Sequence, residues 1–129
     1  MSNEITVLCV DDEANILMLR HMLLSIAGYN VLTATHAEEA LRLFRCNCVD
    51  LVITDQLLLG TTGTELAAQM KLFKPFVPIV LITGLIDPPL EVGNVDLLLS
   101  KGMNPPDFLA AVAKLISNSR SRAGSAGTS

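Results

Sequence analysis

Charge is scarce in this sequence, and positive charge is the scarcer kind. Only 17% of the 129 residues are charged, and 9 Lys and Arg against 13 Asp and Glu leave a net charge of −4 and a pI near 5.0. That balance excludes nonspecific nucleic-acid binding through a basic surface. Cysteine is equally thin: three residues cannot all pair, and their spacing shows no disulfide framework, so reduced thiols in a cytoplasmic protein are expected. No apolar run is long. Residues 79–86 are interrupted by Thr83 and Gly84, far short of the roughly 20 residues that cross a bilayer. Met1-Ser2-Asn3-Glu4 lacks the charged-then-apolar pattern of a signal peptide. There is no internal repeat and no glycine-rich phosphate loop, because Val10-Asp11-Asp12-Glu13 carries acid where a dinucleotide-binding turn carries glycine.

What is present is enough apolar material for one domain. Half the residues are hydrophobic, and 129 residues make a chain of ordinary single-domain size. Val7-Leu8-Cys9-Val10, Leu51-Val52-Ile53, Ile79-Val80-Leu81-Ile82 and Leu97-Leu98-Leu99 are short apolar runs without alternation. Strands of that kind are buried on both faces, as in a parallel sheet covered by helices. Val31-Leu32-Thr33-Ala34 reads as a weaker fifth strand.

Helical patterns separate the strands. Ile16, Leu17, Arg20, Leu23, Leu24 and Ala27 mark the first helix, and Gly28 stops it. Thr35-His36-Ala37-Glu38 and Thr62-Gly63-Thr64-Glu65 read as capping boxes that open the second and third helices. Asn104-Pro105 reads as an N-cap followed by proline at the first helical position, with Phe108, Val112, Leu115 and Ile116 on one stripe. Between Thr83 and the last strand, Asp87-Pro88-Pro89 and Gly93-Asn94 leave room only for a short or irregular fourth helix. The expectation is a doubly wound (βα)5 three-layer sandwich around a five-stranded parallel sheet. The domain spans residues 1–118, and the Ser-, Gly- and Ala-rich residues 119–129 read as a flexible tail, linker stub or expression remnant.

In such folds chemistry gathers at the carboxyl ends of the strands. The first strand ends in Asp11-Asp12-Glu13, the third in Thr54-Asp55, the fourth in Thr83-Gly84 and the fifth in Ser100-Lys101. Clustered carboxylates repel one another and favour a hard divalent cation such as Mg²⁺. A carboxylate can also attack phosphorus, while a metal, an ammonium and a hydroxyl neutralise the phosphoryl oxygens. Each residue taken alone has a plainer reading: Asp12 as a cap for the first helix, Thr83 as a strand residue, Lys101 as a solvated charge. The set at four strand ends is the informative signal.

With those residues in place, the sequence resembles the receiver domain of two-component response regulators, the CheY-like superfamily, over roughly residues 4–116. The resemblance rests on Asp11-Asp12, Asp55 with Leu58, Gly63 and Glu65-Leu66 after it, Thr83-Gly84, and Lys101. It implies that Asp55 accepts a phosphoryl group from a sensor histidine kinase or a histidine phosphotransfer protein. It further implies that Asp11, Asp12, Asp55 and the backbone carbonyl of Leu57 hold Mg²⁺ or Mn²⁺, Asp11 mainly through a water. Thr83 would hydrogen-bond the phosphoryl group and Lys101 would pair with it. The sequence departs from the family pattern at Leu59 and Gly102, where prolines are usual, and at Leu98, where an aromatic is usual. The interval from Thr83 to Lys101 is also shorter than usual, so the signalling face has diverged while the chemistry positions are intact. Apolar Leu57 and Leu85 flank the path of water to the acceptor, which implies a long-lived phosphoryl group.

The implied function is a signalling phosphoacceptor rather than a metabolic enzyme. It catalyses only its own phosphorylation and slow dephosphorylation, as a monomer or weak homodimer that binds neither membrane nor nucleic acid. The alternative is a phosphorylation-independent pseudo-receiver, a protein-interaction module on the same fold. A small-molecule phosphatase of the haloacid-dehalogenase type is disfavoured, because Asp11-x-Glu13 does not supply its paired aspartates. His21 and His36 lack paired ligand spacing and read as structural, and Cys46-x-Cys48 is half a metal knuckle without its other half. Met18, Leu19 and Met22 widen the apolar surface of the first helix and read either as core or as a partner or dimer surface.

Overall fold

A computed structural model describes residues 4–84 and 93–128, with side chains described through Arg120. Five strands form one sheet: β1 (Thr6–Val10), β2 (Asn30–Ala34), β3 (Leu51–Asp55), β6 (Ile79–Thr83) and β7 (Leu97–Ser100). Their order is β2-β1-β3-β6-β7 and every pairing is parallel. β3 and β6 are buried along their whole length, which is why their sequences do not alternate.

The pleat sends successive side chains to opposite faces. Leu8, Val10, Val52 and Ile79 face α2 (Ala37–Cys46) and α3 (Gly63–Phe73), packing with Ala40, Phe44, Leu66, Ala67 and Met70. Val7, Cys9, Ile53, Val80 and Ile82 face α1 (Ala14–Ile26) and α4 (Pro105–Thr128), packing with Leu17, Leu24, Phe108, Val112 and Ile116. The three-layer doubly wound α/β sandwich is therefore the architecture. Four helices lie among the described residues. The short or irregular fourth helix expected around Asp87-Pro88-Pro89 falls within residues 85–92, outside them.

Helix ends follow local chemistry. α1 closes with the N–H of Gly28 donating to the Ser25 carbonyl (3.0 Å) and that of Tyr29 to the Leu24 carbonyl (3.1 Å). Gly28 takes φ +100°, the left-handed conformation such a closure needs. Thr62 Oγ1 caps α3 by accepting from the Glu65 N–H (3.2 Å), and Asn104 Oδ1 caps α4 by accepting from the Asp107 N–H (3.0 Å). The second helix differs from expectation by one residue. His36, not Thr35, is its N-cap, with Nδ1 accepting from the Glu39 N–H (3.3 Å) while Glu39 Oε1 accepts from the Thr35 N–H (3.2 Å).

Two further differences stand out. A two-residue hairpin, β4 (Leu57–Leu58) and β5 (Thr61–Thr62), occupies what reads as a plain apolar loop. Gly60, at φ +80°, sits where a type II turn requires a positive φ. The last helix also continues to Thr128, past residue 118, where the sequence reading begins a flexible tail. No proline interrupts residues 117–128, and a helix already held by Phe108, Val112 and Ile116 extends without a new nucleation cost, against about 1 kcal/mol each for Gly124 and Gly127.

Candidate functional site

The carboxyl edge of the sheet gathers the acids. β1 runs directly into Asp11, and β3 ends in Asp55. The chain changes direction between these two neighbouring strands, where doubly wound sheets hold their ligands. Ligand oxygens of Asp11, Asp12 and Asp55 all lie within 4.8 Å of one another. Asp11 is fully buried, Asp55 is 2% exposed, and Asp12 faces solvent. Asp12 does not cap α1: the N-cap position is Glu13, whose N–H donates instead to Asp11 Oδ1 (2.9 Å).

The two buried acids are held differently. Asp11 has both oxygens engaged, Oδ1 by Glu13 and Oδ2 by Arg20 Nη1 at 3.0 Å. Burial pushes the Asp11 carboxyl above its usual pKa, with the Glu13 N–H and the Arg20 guanidinium pulling part of the way back. Asp55 Oδ2 pairs with Lys101 Nζ at 3.2 Å, while Asp55 Oδ1 is buried without a hydrogen-bond partner. An unpartnered buried carboxylate oxygen is costly on its own and marks a place for a cation or an electrophile.

Thr83 ends β6 and is buried. Asp55 is opposite Ile82 in the ladder, so Thr83 lies one step beyond the acid, and its carbonyl accepts from the Lys101 N–H (3.1 Å). A Cβ on Gly84 would lie 3.5 Å from Lys101 Cδ, so the lysine stem runs alongside that glycine on its way to Asp55. Leu57 opens the hairpin two residues after Asp55 with its side chain exposed. Thus Asp11, Asp12, Asp55 and Lys101 come together, Thr83 sits beside them, and Leu57 stands at the rim. Leu85 is outside the described residues.

Two residues of this region were not singled out by their sequence. Arg20 is only 8% exposed and forms the buried ion pair with Asp11. Its spacing with Leu17 and Leu24 contained the signal, since an arginine at core spacing requires a buried acid. Gln56 is also buried, and its Oε1 accepts from the Thr64 N–H (3.1 Å), tying the residue after Asp55 to the start of α3. Elsewhere, Met18, Leu19 and Met22 are exposed rather than core, as is Ile26. His21, Cys46 and Cys48 are exposed.

Three aspartates, a lysine and a threonine thus stand at the carboxyl edge of a doubly wound sheet. The response regulator receiver domain family matches residues 7–113, and the chain belongs to that family. Among curated proteins, it is 31% identical over 118 residues to the alkaline phosphatase synthesis transcriptional regulatory protein PhoP of Bacillus subtilis, covering 88% of this chain and 49% of that protein. It is 30% identical over 120 residues to the probable transcriptional regulator ycf27 of Cyanidium caldarium, covering 89% of this chain and 47% of that one. The chain therefore spans about half the length of these relatives. Among solved structures, a CheY-like receiver domain protein from Methanospirillum hungatei superposes with a TM-score of 0.86 at 25% identity, covering 93% of this chain and 99% of the other. The response regulator TrrA from Thermotoga maritima, solved in complex with Mg²⁺ and BeF, superposes with a TM-score of 0.81 at 34% identity, covering 86% and 98%. The chain is a phosphoacceptor receiver domain of two-component signalling.

Proposed function

We propose that Asp55 is the phosphoacceptor, with Asp11, Asp12 and Asp55 forming the divalent-cation pocket, Lys101 as its counter-cation and Thr83 as the hydroxyl donor. The observation that carries this reading is the buried, unpartnered Oδ1 of Asp55 beside an Oδ2 held by Lys101. Three clustered carboxylates suit Mg²⁺ or Mn²⁺, hard cations that take oxygen ligands, and the backbone carbonyl of Leu57 is the further ligand proposed. When bound, the cation neutralises charge on the phosphoryl oxygens.

The donor is a phosphohistidine on a sensor kinase or a histidine phosphotransfer protein. An Asp55 oxygen forms the new bond to phosphorus as the N–P bond breaks, and the electron pair returns to the imidazole nitrogen, which takes up a proton. Lys101 holds Asp55 in position beforehand and afterwards pairs with the phosphoryl oxygens. Thr83 donates its hydroxyl to the same group and so transmits its arrival to the β6 edge. Leu57, 59% exposed at the rim, has no polar atom on its side chain with which to orient an attacking water, so hydrolysis is slow.

The module acts in the cytoplasm as a monomer or weak homodimer. Among the described residues, no helix is long and apolar enough to cross a membrane. It does not bind nucleic acid itself, and phosphorylation changes its contacts with a downstream protein. Residues 1–118 constitute the receiver unit and the remainder its tail or linker.

Intact mass after incubation with acetyl phosphate and Mg²⁺ tests this. A single phosphoryl adduct is expected on the protein and none on Asp55→Asn or with EDTA. No adduct on a folded protein that beryllofluoride also fails to stabilise against heat would replace this reading with the pseudo-receiver.

A further inference from the structure

Arg20 is a buried cation of this edge, and the phosphoacceptor reading does not use it. It comes from α1, between Leu17 and Leu24 on the face turned to the sheet, and is itself 8% exposed. A guanidinium is rarely placed among apolar neighbours without a partner of opposite charge. The partner here is Asp11, fully buried, with Oδ2 3.0 Å from Arg20 Nη1. The other oxygen of Asp11 accepts from the Glu13 N–H at 2.9 Å. Asp11 thus enters the cluster with each oxygen engaged, whereas Asp55 keeps Oδ1 unpartnered.

We propose that Arg20 is a resident counter-cation of the acidic pocket, a positioning residue that competes with the divalent ion for Asp11. The inference rests on the reading of the pocket as a metal site. It follows from charge placement. Three carboxylates whose ligand oxygens lie within 4.8 Å of one another repel when no cation is present. Lys101 offsets Asp55 and Arg20 offsets Asp11, so the fold keeps the cluster intact without metal. A divalent ion that enters must draw on Asp12 and on the free oxygen of Asp55, or else take Asp11 from the guanidinium. Arg20 therefore holds the divalent-ion affinity of the pocket down.

The test is divalent-ion affinity without any phosphodonor, read with Mn²⁺ by electron paramagnetic resonance or calorimetry. Loss of outer-shell partners of metal ligands weakens metal binding by about 10- to 100-fold; loss of a cation that repels the ion and occupies one of its carboxylates acts in the opposite direction. Arg20→Met is expected to bind Mn²⁺ about tenfold more tightly, and its melting temperature to rise more on adding Mn²⁺ than the wild type's, since binding stabilises by RT ln(1 + c/Kd), with c the free Mn²⁺ concentration, and a smaller Kd gives the larger gain. In an Asp11→Asn background, adding Arg20→Met is expected to give a much smaller gain, because no carboxylate is released. If Arg20→Met does not fold, Arg20→Gln keeps a donor for Asp11 without the charge and carries the same expectation.

Unchanged or weaker affinity, an equal gain in the Asp11→Asn background, or no Mn²⁺ binding by either protein would each overturn the proposal. The acetyl phosphate adduct is a separate readout. An adduct with unchanged affinity sinks the role of Arg20 alone, and tighter Mn²⁺ binding without an adduct sinks the phosphoacceptor reading alone.

Discussion

Gly63→Ala is a change of one methyl group that reaches Asp55 through the backbone. Gly63 opens α3, is buried, and donates its N–H to the Gln56 carbonyl at 2.9 Å. A Cβ there would lie 2.5 Å from Leu81 Cδ1, would press harder still on the carbonyl oxygen of Asp55, and would sit 3.1 Å from that carbonyl's carbon. Leu81 can adjust its rotamer only into a filled interior, and the Asp55 carbonyl belongs to a central strand paired on both sides, so neither neighbour gives way freely. Overpacking of this kind costs about 1–3 kcal/mol. A chain of this size loses roughly 3–5 °C of melting temperature per kcal/mol, so a drop of about 3–15 °C is expected by circular dichroism. Because the strain falls on the acceptor's own backbone, adduct formation from acetyl phosphate should slow as well, by about tenfold, given that misplacement by 1 Å costs about a hundredfold. Gly93→Ala is the control, since a Cβ there meets nothing within 4 Å. If Gly63→Ala melts within about 1 °C of wild type and accepts phosphate at an equal rate, the close approach of α3 to Asp55 does not set the geometry of the acid.

Phe44 is fully buried between α2 and the sheet and lies 5.0 Å from the Lys74 ammonium, so Phe44→Ala should cost about 3–5 kcal/mol in urea titration; less than about 1 kcal/mol would contradict the packing described. Burial pushes the Cys9 thiol up to about 12, so a disulfide reagent at mildly alkaline pH should titrate Cys46 and Cys48 but reach Cys9 only after denaturation; reaction of all three thiols in the native protein would refute it. The folded pKa of Asp11 is raised, so the folded state holds that proton more tightly than the unfolded chain does. Its contribution to stability is therefore greatest below about 3.8 and is lost as pH rises through the raised folded value. Melting curves in EDTA should show the wild type falling relative to Asp11→Asn as pH climbs from about 4, and a relative rise would reverse the sign of the argument. Leu57→Asn should shorten the lifetime of the phosphoryl adduct, followed by mass after removal of acetyl phosphate; an unchanged lifetime would detach the rim residue from hydrolysis.

β1, β3 and β6 were legible because burial on both faces leaves continuous apolar runs, and two of the four described helix starts because Thr62 and Asn104 are conventional caps. The convergence of Asp11, Asp12, Asp55 and Lys101 followed from the rule that parallel sheets bring their carboxyl ends to one edge. What escaped has physical causes. Imidazole Nδ1 of His36 does the work usually assigned to a hydroxyl or carboxylate, so the cap was placed one residue early. Two-residue strands such as Leu57–Leu58 have no periodicity to read. Met18, Leu19 and Met22 read by composition either as core or as a partner or dimer surface, and α1 turns only Leu17, Arg20 and Leu24 fully inward, leaving the three exposed. Arg20 itself was hidden inside the apolar stripe it interrupts, since its meaning depends on an acid nine positions earlier.

Lys71 bears on the crossover from Thr83 to Asp96. Its ammonium donates to the carbonyls of Pro75 (3.3 Å) and Val77 (2.7 Å) and to Asp96 Oδ2 (2.8 Å), an oxygen that also accepts from the Ile79 N–H (2.8 Å). Asp96 is thereby fastened to the amino end of β6, while Thr83, at the other end of that strand, is tied to Lys101. The chain between them leaves one end of β6 and returns to the other, a return of roughly 16 Å at 3.3 Å per residue. Both endpoints are fixed by contacts that the intervening residues do not make. Thr83 and Asp96 therefore keep their places through contacts made outside residues 85–92.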